Sequence, residues 1–299
     1  MDRLHLMSVY VAVVEAEGFA GGARKLHMSP PAVTRAVAAL EERLGVKLLN
    51  RTTRYVRMTE AGQKYYEDAK RIIALADEAD DAVLGINAEP RGFLTVTASV
   101  LFGRLFVMPG IVEYLRRYPA VEVNALFVDR VVNMLEEGVD VAIRIGDLPD
   151  SSYRALRVGS VRRVLCASPE YLAEHGIPQT PDELTEHRTI LARGLNPHNE
   201  MRFQYDGQAQ TVKLQPLLSV SDNDSAASAA MAGLGITRLL NYQIAEPLRS
   251  GQLKIVLGEC ESPPVPVHIL HREGRHSSAK IRSFVDLMAE RLRAELALN

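Results

Sequence analysis

The sequence predicts an α/β chain in three parts: a small head of three helices and a β-hairpin, one long helix, and a two-lobed α/β domain. Three observations predict it. Apolar residues recur at helical spacing in short runs before residue 45, a heptad rhythm holds from Tyr65 to Ile86, and beyond residue 92 short apolar strands alternate with helical stretches. The 299 residues, 47% hydrophobic and 24% charged, suit folded domains with ordinary cores and exclude a disordered or fibrous chain.

The first helix follows from Leu4, Met7, Val11 and Val14, spaced as one apolar stripe, and ends near Glu17-Gly18. A short second helix covers about 20–26 and exposes Arg24 and Lys25. The third runs from Pro31 to Leu44, with Val33, Val37, Leu40 and Leu44 facing inward and Gly45 as the stop. Proline in a helix interior costs about 3 kcal/mol, but in the first turn the missing N–H has no intrahelical partner anyway. Pro30 and Pro31 therefore open this helix, and Ser29 is its N-cap, with a hydroxyl placed to accept from amides two or three residues on.

The outer face of the third helix offers Pro31, Thr34, Arg35 and Ala38, while Glu41 and Glu42 stand at its far end. Short side chains, a donor/acceptor pair and distant carboxylates are what a helix entering the DNA major groove needs. An ordinary surface helix is the alternative for this face taken alone. Next, "VKLLNRTTRYVRMT" reads as two short strands about a turn near Arg51-Thr52-Thr53-Arg54, a wing on which Arg51, Arg54 and Arg57 can grip phosphate. Three helices and a basic wing make a winged helix-turn-helix. Charge agrees in sign: residues 1–60 hold nine Lys and Arg against six Asp and Glu, within a chain of net charge -2.

From Thr59, a second N-cap, a helix of about 27 residues and 40 Å carries the seam Tyr65, Ala69, Ile72, Ala76, Ala79, Val83 and Ile86 at alternating spacings of 4 and 3. A stripe this long on a lone helix needs a partner, a second copy of the chain on the favoured reading, with packing against the helix's own domain as the alternative. "AEPRG" then breaks the helix. The domains expected are 1–59, 60–88 and 89–299.

In the third part, strands at "FLTVTAS", "VEVNALFV" and "VDVAIRIG" with helices over 103–118 and 130–137 make a βαβαβ unit with a parallel sheet. A second series starts at "RRVLCAS". It continues with a helix after Pro169, a hairpin at Asp206-Gly207, a strand at "LLSVSD", a helix over 225–232 and a strand at "GIT". "VPVHIL" and a final helix from Ser278 return to the first unit, giving lobes of about 89–161 with 267–299 and of 162–266. The cleft lies between them, at the carboxyl ends of strands.

Chemical motifs are absent: no GxSxG, P-loop, HExxH or GxGxxG occurs, which argues against an enzyme, and no cofactor is implied. His268, His271 and His276 lack metal-ligand spacing, and Cys166 and Cys260 are isolated, as expected of buried, reduced thiols. No apolar run is long enough to span a membrane and the N-terminus has no secretory pattern, so a cytoplasmic location is expected.

The block "GFAGGARKLHMSPPAVTRAVAALEERLGVKLLNRTTRYVRMTEAG" closely resembles the DNA-binding signature of LysR-type transcriptional regulators. "DVAIRIGDLPDSS", "RRVLCASPEYLAEHG" and "AGLGITRLL" resemble that family's effector region. The resemblance implies a periplasmic-binding-protein-like effector domain and a homodimer or homotetramer. It further implies double-stranded promoter DNA and a small-molecule effector as partners, with RNA polymerase joining them for an activator.

On this reading Ser29, Pro30, Pro31, Thr34, Arg35, Arg51, Thr52 and Arg54 meet DNA, at an interrupted inverted repeat. Effector contacts are implied at Ser99, Val100 and Phe102, at Arg144 and Gly146, and at Asn223 and Asp224. Backbone amides at the helices following Phe102 and Asp224 would cradle an organic anion, with Ser99 and Arg144 as further donors. Alternatively Arg144 pairs with Asp147, and Asp224 only caps its helix. The sequence also departs from the family: Pro30 replaces a common Gln, Thr34 a common Ser, and Gly21-Gly22 a common Ala-Ala. A competing reading keeps the two-lobed domain as a solute-binding protein or enzyme whose N-terminal helices only dimerise it.

Overall fold

The computed structural model describes residues 2–51, 56–84, 89–148, 153–193, 199–272, 278–295 and 298. The chain forms two compact units, Met1–Phe93 and Leu94–Asn299. Among the described residues no single helix is long and apolar enough to cross a membrane.

In the first unit, α1 (Arg3–Glu15), α2 (Phe19–Lys25) and α3 (Pro30–Leu44) pack around one core. The hairpin β1 (Leu49–Arg51) and β2 (Val56–Met58) follows, and then α4 (Glu60–Leu84). The stripe expected on α1 is only partly the buried face: Met7 is buried, whereas Leu4, Val11 and Val14 are half-buried and Leu6, Val9, Tyr10, Ala12 and Val13 are fully covered. Contacts with α2, α3 and α4 surround α1, so no single stripe separates core from solvent.

The two glycines of α2 serve its approach to α1. A Cβ on Gly22 would stand 2.9 Å from Val13 Cγ2 and 3.0 Å from Val13 Cα, and one on Gly21 2.8 Å from Ala16 Cβ. The entry to α4 is as tight. Thr59 caps it, accepting from the Gly62 amide at 2.9 Å and donating to the Lys47 carbonyl at 2.8 Å. The Tyr10 hydroxyl donates to the Gly62 carbonyl, and a Cβ on Gly62 would lie 2.1 Å from the Leu48 carbonyl oxygen.

The seam of α4 divides. Tyr65 packs edge-on against Tyr10 and Ala69 is fully buried, so the first turns sit on their own head. Ile72 and Leu75 are 39% and 56% exposed further along. Ala79 is exposed too, the side chain of Val83 is not described, and Ile86 lies outside the described residues.

In the second unit, β3 (Gly92–Ala98) leads into α5 (Val100–Phe102), a π-helical turn at Gly103–Val107, and α6 (Met108–Arg117). Then come β4 (Val121–Phe127), β5 (Val141–Ile145), β6 (Tyr153–Val161), β7 (Arg163–Ala167), α7 (Pro169–His175), β8 (Thr189–Ala192) and β9 (Glu200–Tyr205). The chain closes with β10 (Gln208–Lys213), β11 (Leu218–Val220), α8 (Asn223–Met231), β12 (Ile236–Leu240), α9 (Ala245–Arg249), β13 (Lys254–Val256), β14 (Val265–Arg272) and α10 (Ala279–Ala294).

Two five-stranded sheets result, ordered β4-β3-β5-β14-β6 and β11-β8-β12-β7-β13. Both are mixed: β3 runs parallel to β5, but β14 is antiparallel to β5 and β6. In the second sheet β8 is parallel to β11 and β12, and β7 is antiparallel to β12 and β13. The parallel pairing expected within the βαβαβ unit is present between β3 and β5, and β14 and β6 extend that first sheet antiparallel. Its core joins Leu94, Val96, Phe102, Tyr114 and Ile143 to Phe284 and Met288 of α10. The β9–β10 hairpin turns at Asp206 and Gly207, with φ of 48° and 74°, the left-handed pair that a two-residue hairpin turn requires.

The helix expected over 130–137 does not form. Asn133 Oδ1 accepts from the Leu135 amide at 3.1 Å, and Glu137 from the Asn133 amide at 3.2 Å, giving the backbone local side-chain partners in place of a helical ladder. Val132 and Met134 turn inward with Val139, Ala142 and Leu270, while Val131 and Leu135 are exposed.

Candidate functional site

The outer face of α3 carries the residues expected to meet DNA. Ser29, Pro30, Pro31, Arg35 and Ala38 are exposed and Thr34 is half-buried, whereas Val33, Ala36, Val37 and Leu40 fill the core. The helix begins at Pro30, one residue earlier than expected. Ser29 holds the N-cap position, but its side chain makes no cap bond. With prolines at the first two helical positions, two of the usual orphan N–H groups do not exist, and the next two amides, Ala32 and Val33, reach the Ser29 carbonyl at 2.9 and 3.2 Å.

Thr34 is committed in one direction. Its hydroxyl donates to the Pro30 carbonyl at 2.9 Å, so the oxygen faces outward as an acceptor, suited to an exocyclic amine of adenine or cytosine. Arg35 has no ion-pair partner among the described residues.

Glu41 is not the outlying surface charge that its place at the end of the helix suggests. It is 3% exposed, and its Oε1 accepts from the Leu48 and Leu49 amides while Oε2 accepts from Lys47 Nζ at 2.8 Å. Burial works against its ionisation, but the Lys47 hydrogen bond and the two amides outweigh it and hold the carboxyl below its ordinary pKa. Glu41 thereby anchors the wing to α3. In the wing, Asn50 pairs with Arg57, whose side chain is exposed. Arg51 ends β1 with its side chain undescribed, and Thr52 and Arg54 lie outside the described residues.

In the second unit a cavity of about 510 Å³ opens at the ends of strands from both sheets. Of the residues expected to touch ligand, Ser99, Arg144 and Asn223 line it. Phe102 instead lies in the first core, edge-on to Tyr242. The Gly146 amide donates to the Pro266 carbonyl, Val100 is 46% exposed, and Asp224 is exposed; none of these three lines the cavity.

Both helix starts at the cavity already hold a carboxylate of the chain. Asp129 Oδ1 accepts from the Val100 amide at 3.0 Å, and Asp222 accepts from the Ser225 amide at 2.7 Å and its hydroxyl at 2.9 Å. The backbone cradle expected at these helices is thus met in part from within, and the cap of α8 is Asp222, not Asp224.

Positive charge converges on the cavity from four arginines. Arg130 is engaged by Glu137 in a bidentate pair. Arg144, Arg163 and Arg238 have no carboxylate at ion-pair distance among the described residues, and Arg144 Nη2 is buried with no hydrogen-bond partner. Arg144 does not pair with Asp147; the charges acting on it are Glu137 and Arg130. Burial lowers the pKa of Arg144 and of Arg163, the latter despite its exposed edge. Burial, with the like charge of Arg163, brings Arg238 down to about 10. Tyr242 closes the wall, its phenol pushed up to about 12 by burial, with Ser99 hydrogen-bonding to it in opposition.

Sequence reasoning missed Arg163 and Arg238. They lie 75 positions apart and meet through the pairing of β12 with β7, where Leu240 faces Arg163 and Arg238 faces Leu165. Among the described residues no group of three or more His, Cys, Asp or Glu could hold a metal ion; His276 lies outside them. Cys166 and Cys260 are buried and free.

Two family models match the chain. One, described as a bacterial regulatory helix-turn-helix protein of the lysR family, matches residues 4–63, and the other, a LysR substrate binding domain, matches 87–293. An uncharacterized helix-turn-helix transcriptional regulator of Haemophilus influenzae is 32% identical over 94% of this chain and 98% of its own. The solved structure of CrgA, a LysR-type transcriptional regulator from Neisseria meningitidis, is 32% identical with a TM-score of 0.61, covering 96% of this chain and 98% of that one. The full-length virulence activator AphB of Vibrio cholerae is 25% identical with a TM-score of 0.62, over 97% and 99%.

Proposed function

Since the chain belongs to the LysR family of helix-turn-helix transcriptional regulators, we propose that Thr34, Arg35 and Pro31 read its operator and that the arginine-lined cavity receives an organic anion. The chain is a transcriptional regulator with a DNA-binding head and a substrate-binding domain, not an enzyme. Regulators of this family bind promoter DNA and small-molecule effectors and work as oligomers. The reading of the N-terminal helices as dimerising alone is set aside by the helix-turn-helix match over 4–63.

Arg144 carries the effector reading. A buried guanidinium nitrogen without a partner is costly, and in a cavity of ligand size the anion that completes it comes from solution. The role expected for the backbone amides passes to the arginines, because Asp129 and Asp222 occupy the helix starts. On the DNA side, Arg35 is the side chain suited to guanine and Thr34 supplies an acceptor, and the phosphate contacts are assigned by the sequence reading to Ser29, Pro30, Arg51, Thr52 and Arg54.

In the oligomer, Ile72, Leu75 and Ala79 form the face of α4 that meets a second copy, the earlier seam being covered by the head. The protein acts in the cytoplasm, where promoter DNA is found. Isothermal titration of the full-length chain against carboxylates tests the effector reading: heat that disappears in Arg144→Ala supports it, and binding of neutral or cationic compounds alone overturns it.

A further inference from the structure

The unpartnered arginines of the cavity form two groups on two sheets. Arg144 stands on β5 of the first sheet. Arg163 and Arg238 stand on adjacent strands of the second, two positions out of register, so they share one face as diagonal neighbours about 7 Å apart at their Cβ atoms. Arg238 spends one N–H on the Arg202 carbonyl at 3.2 Å, and its remaining donors and those of Arg163 have no protein acceptor among the described residues. Two adjacent forks of this kind hold one carboxylate or phosphate group between them.

The carboxylates lining the cavity do not neutralise either group. Asp129 is drawn to the Val100 amide and Asp222 to the Ser225 amide and the hydroxyls of Ser225 and Ser221. Outside the lining, Glu137 is taken up by Arg130, and Asp147 acts on Arg163 only from beyond ion-pair distance. An effector with a single anionic group would satisfy one sheet and leave the cation of the other without a counter-charge, in a cavity whose wall also holds the apolar Ile143, Leu191, Met201 and Val265. A cavity of about 510 Å³ has room for two anionic groups and a carbon skeleton between them.

Resting on the anion reading above, we propose that the effector carries two anionic groups, one received by Arg144 and the other by Arg163 with Arg238. Each end then belongs to a different lobe, so the ligand ties the two sheets together. Sites built to hydrogen-bond a charged group discriminate strongly against analogues that lack it, because the site's own group is left unpaired.

Two measurements on the full-length protein test this. Crystals soaked in sodium selenate should show two anomalous peaks in the cavity, one at Arg144 and one at Arg163 and Arg238. Arg144→Ala should remove only the first, and the double variant Arg163→Ala with Arg238→Ala only the second. In isothermal titration, at least one of glutarate, adipate and phthalate should bind tenfold or more tightly than its monocarboxylate counterpart, pentanoate, hexanoate or benzoate, with the advantage abolished by Arg144→Ala. Melting curves confirm that the variants are folded. A single selenate peak, or equal affinity for each matched pair, overturns the two-anion proposal while the anion reading stands. No selenate in the cavity together with no carboxylate binding overturns both.

Discussion

Glu41 Oε1 lies 3.0 Å from the amide nitrogen of Leu48, so the last turns of α3 and the first strand of the wing are joined by a buried carboxylate. Its other contacts, the Leu49 amide and Lys47, complete the joint. Glu41→Ala leaves two buried amides without an acceptor and should destabilise the head by about 3 kcal/mol, whereas Glu41→Gln, which keeps one acceptor, should lose less. The pKa of Glu41 is lowered in the folded state. Its stabilisation is therefore full above the unfolded carboxyl value of about 4.3 and fades as pH falls through the lower folded value. Melting temperatures of wild type and Glu41→Gln between pH 6 and 3 should converge toward the acid end.

Arg35 is exposed on the outer face of α3, clear of any ion pair among the described residues. Arg35→Ala should weaken operator binding by about 1 to 3 kcal/mol and leave random DNA nearly unaffected if the guanidinium reads a base. Gel shifts on operator and scrambled duplexes at matched salt measure both. An equal loss on the two would reassign Arg35 to phosphate.

Arg144 should be a liability to the ligand-free protein. Replacing an unpaired, partly desolvated cation by an apolar side chain of similar volume removes a penalty, so Arg144→Met should raise the unfolding free energy by about 1 kcal/mol while reducing effector binding. Chemical denaturation without ligand is the measurement. A clear destabilisation would show that Arg144 has a structural task.

Gly22→Ala looks favourable from helix propensity alone, by about 1 kcal/mol. The structure reverses the expectation, because the added Cβ would meet Val13 Cγ2 at 2.9 Å and Val13 Cα at 3.0 Å, forcing α2 away from α1. A lower melting temperature is the expected outcome, net about 1 kcal/mol. A rise would mean that α1 yields without loss of packing.

Local chemistry made the head legible in sequence. Pro30, Pro31, Thr59 and Gly45 act within one turn of themselves, so the ends of α3 and the start of α4 could be read directly. The burial pattern of α1 could not, since three helices cover it and periodicity loses its contrast. The stretch 130–137 has helical spacing, but Asn133 and Glu137 supply side-chain acceptors that divert its backbone. At the cavity, Ser99, Arg144 and Asn223 came from the family resemblance, which places ligand contacts at strand ends and crossovers. Arg163 and Arg238 were missed, because only the antiparallel pairing of β7 and β12 brings them together.

The π-turn at Gly103–Val107 has a bearing on how this chain tolerates changes of length. Phe102 and Val107 are both fully buried, yet five residues apart they would diverge by about 140° on a regular α-helix. The wider turn absorbs one supernumerary residue and returns Val107, Ile111 and Tyr114 to the core, while Gly103 lets the Phe127 ring approach within 2.5 Å of where a Cβ would stand. The helix thus carries a built-in phase correction. A one-residue deletion between Gly103 and Val107 should yield a continuous α-helix with its inward face intact, whereas the same deletion one turn later would rotate Tyr114 out of register with its partners.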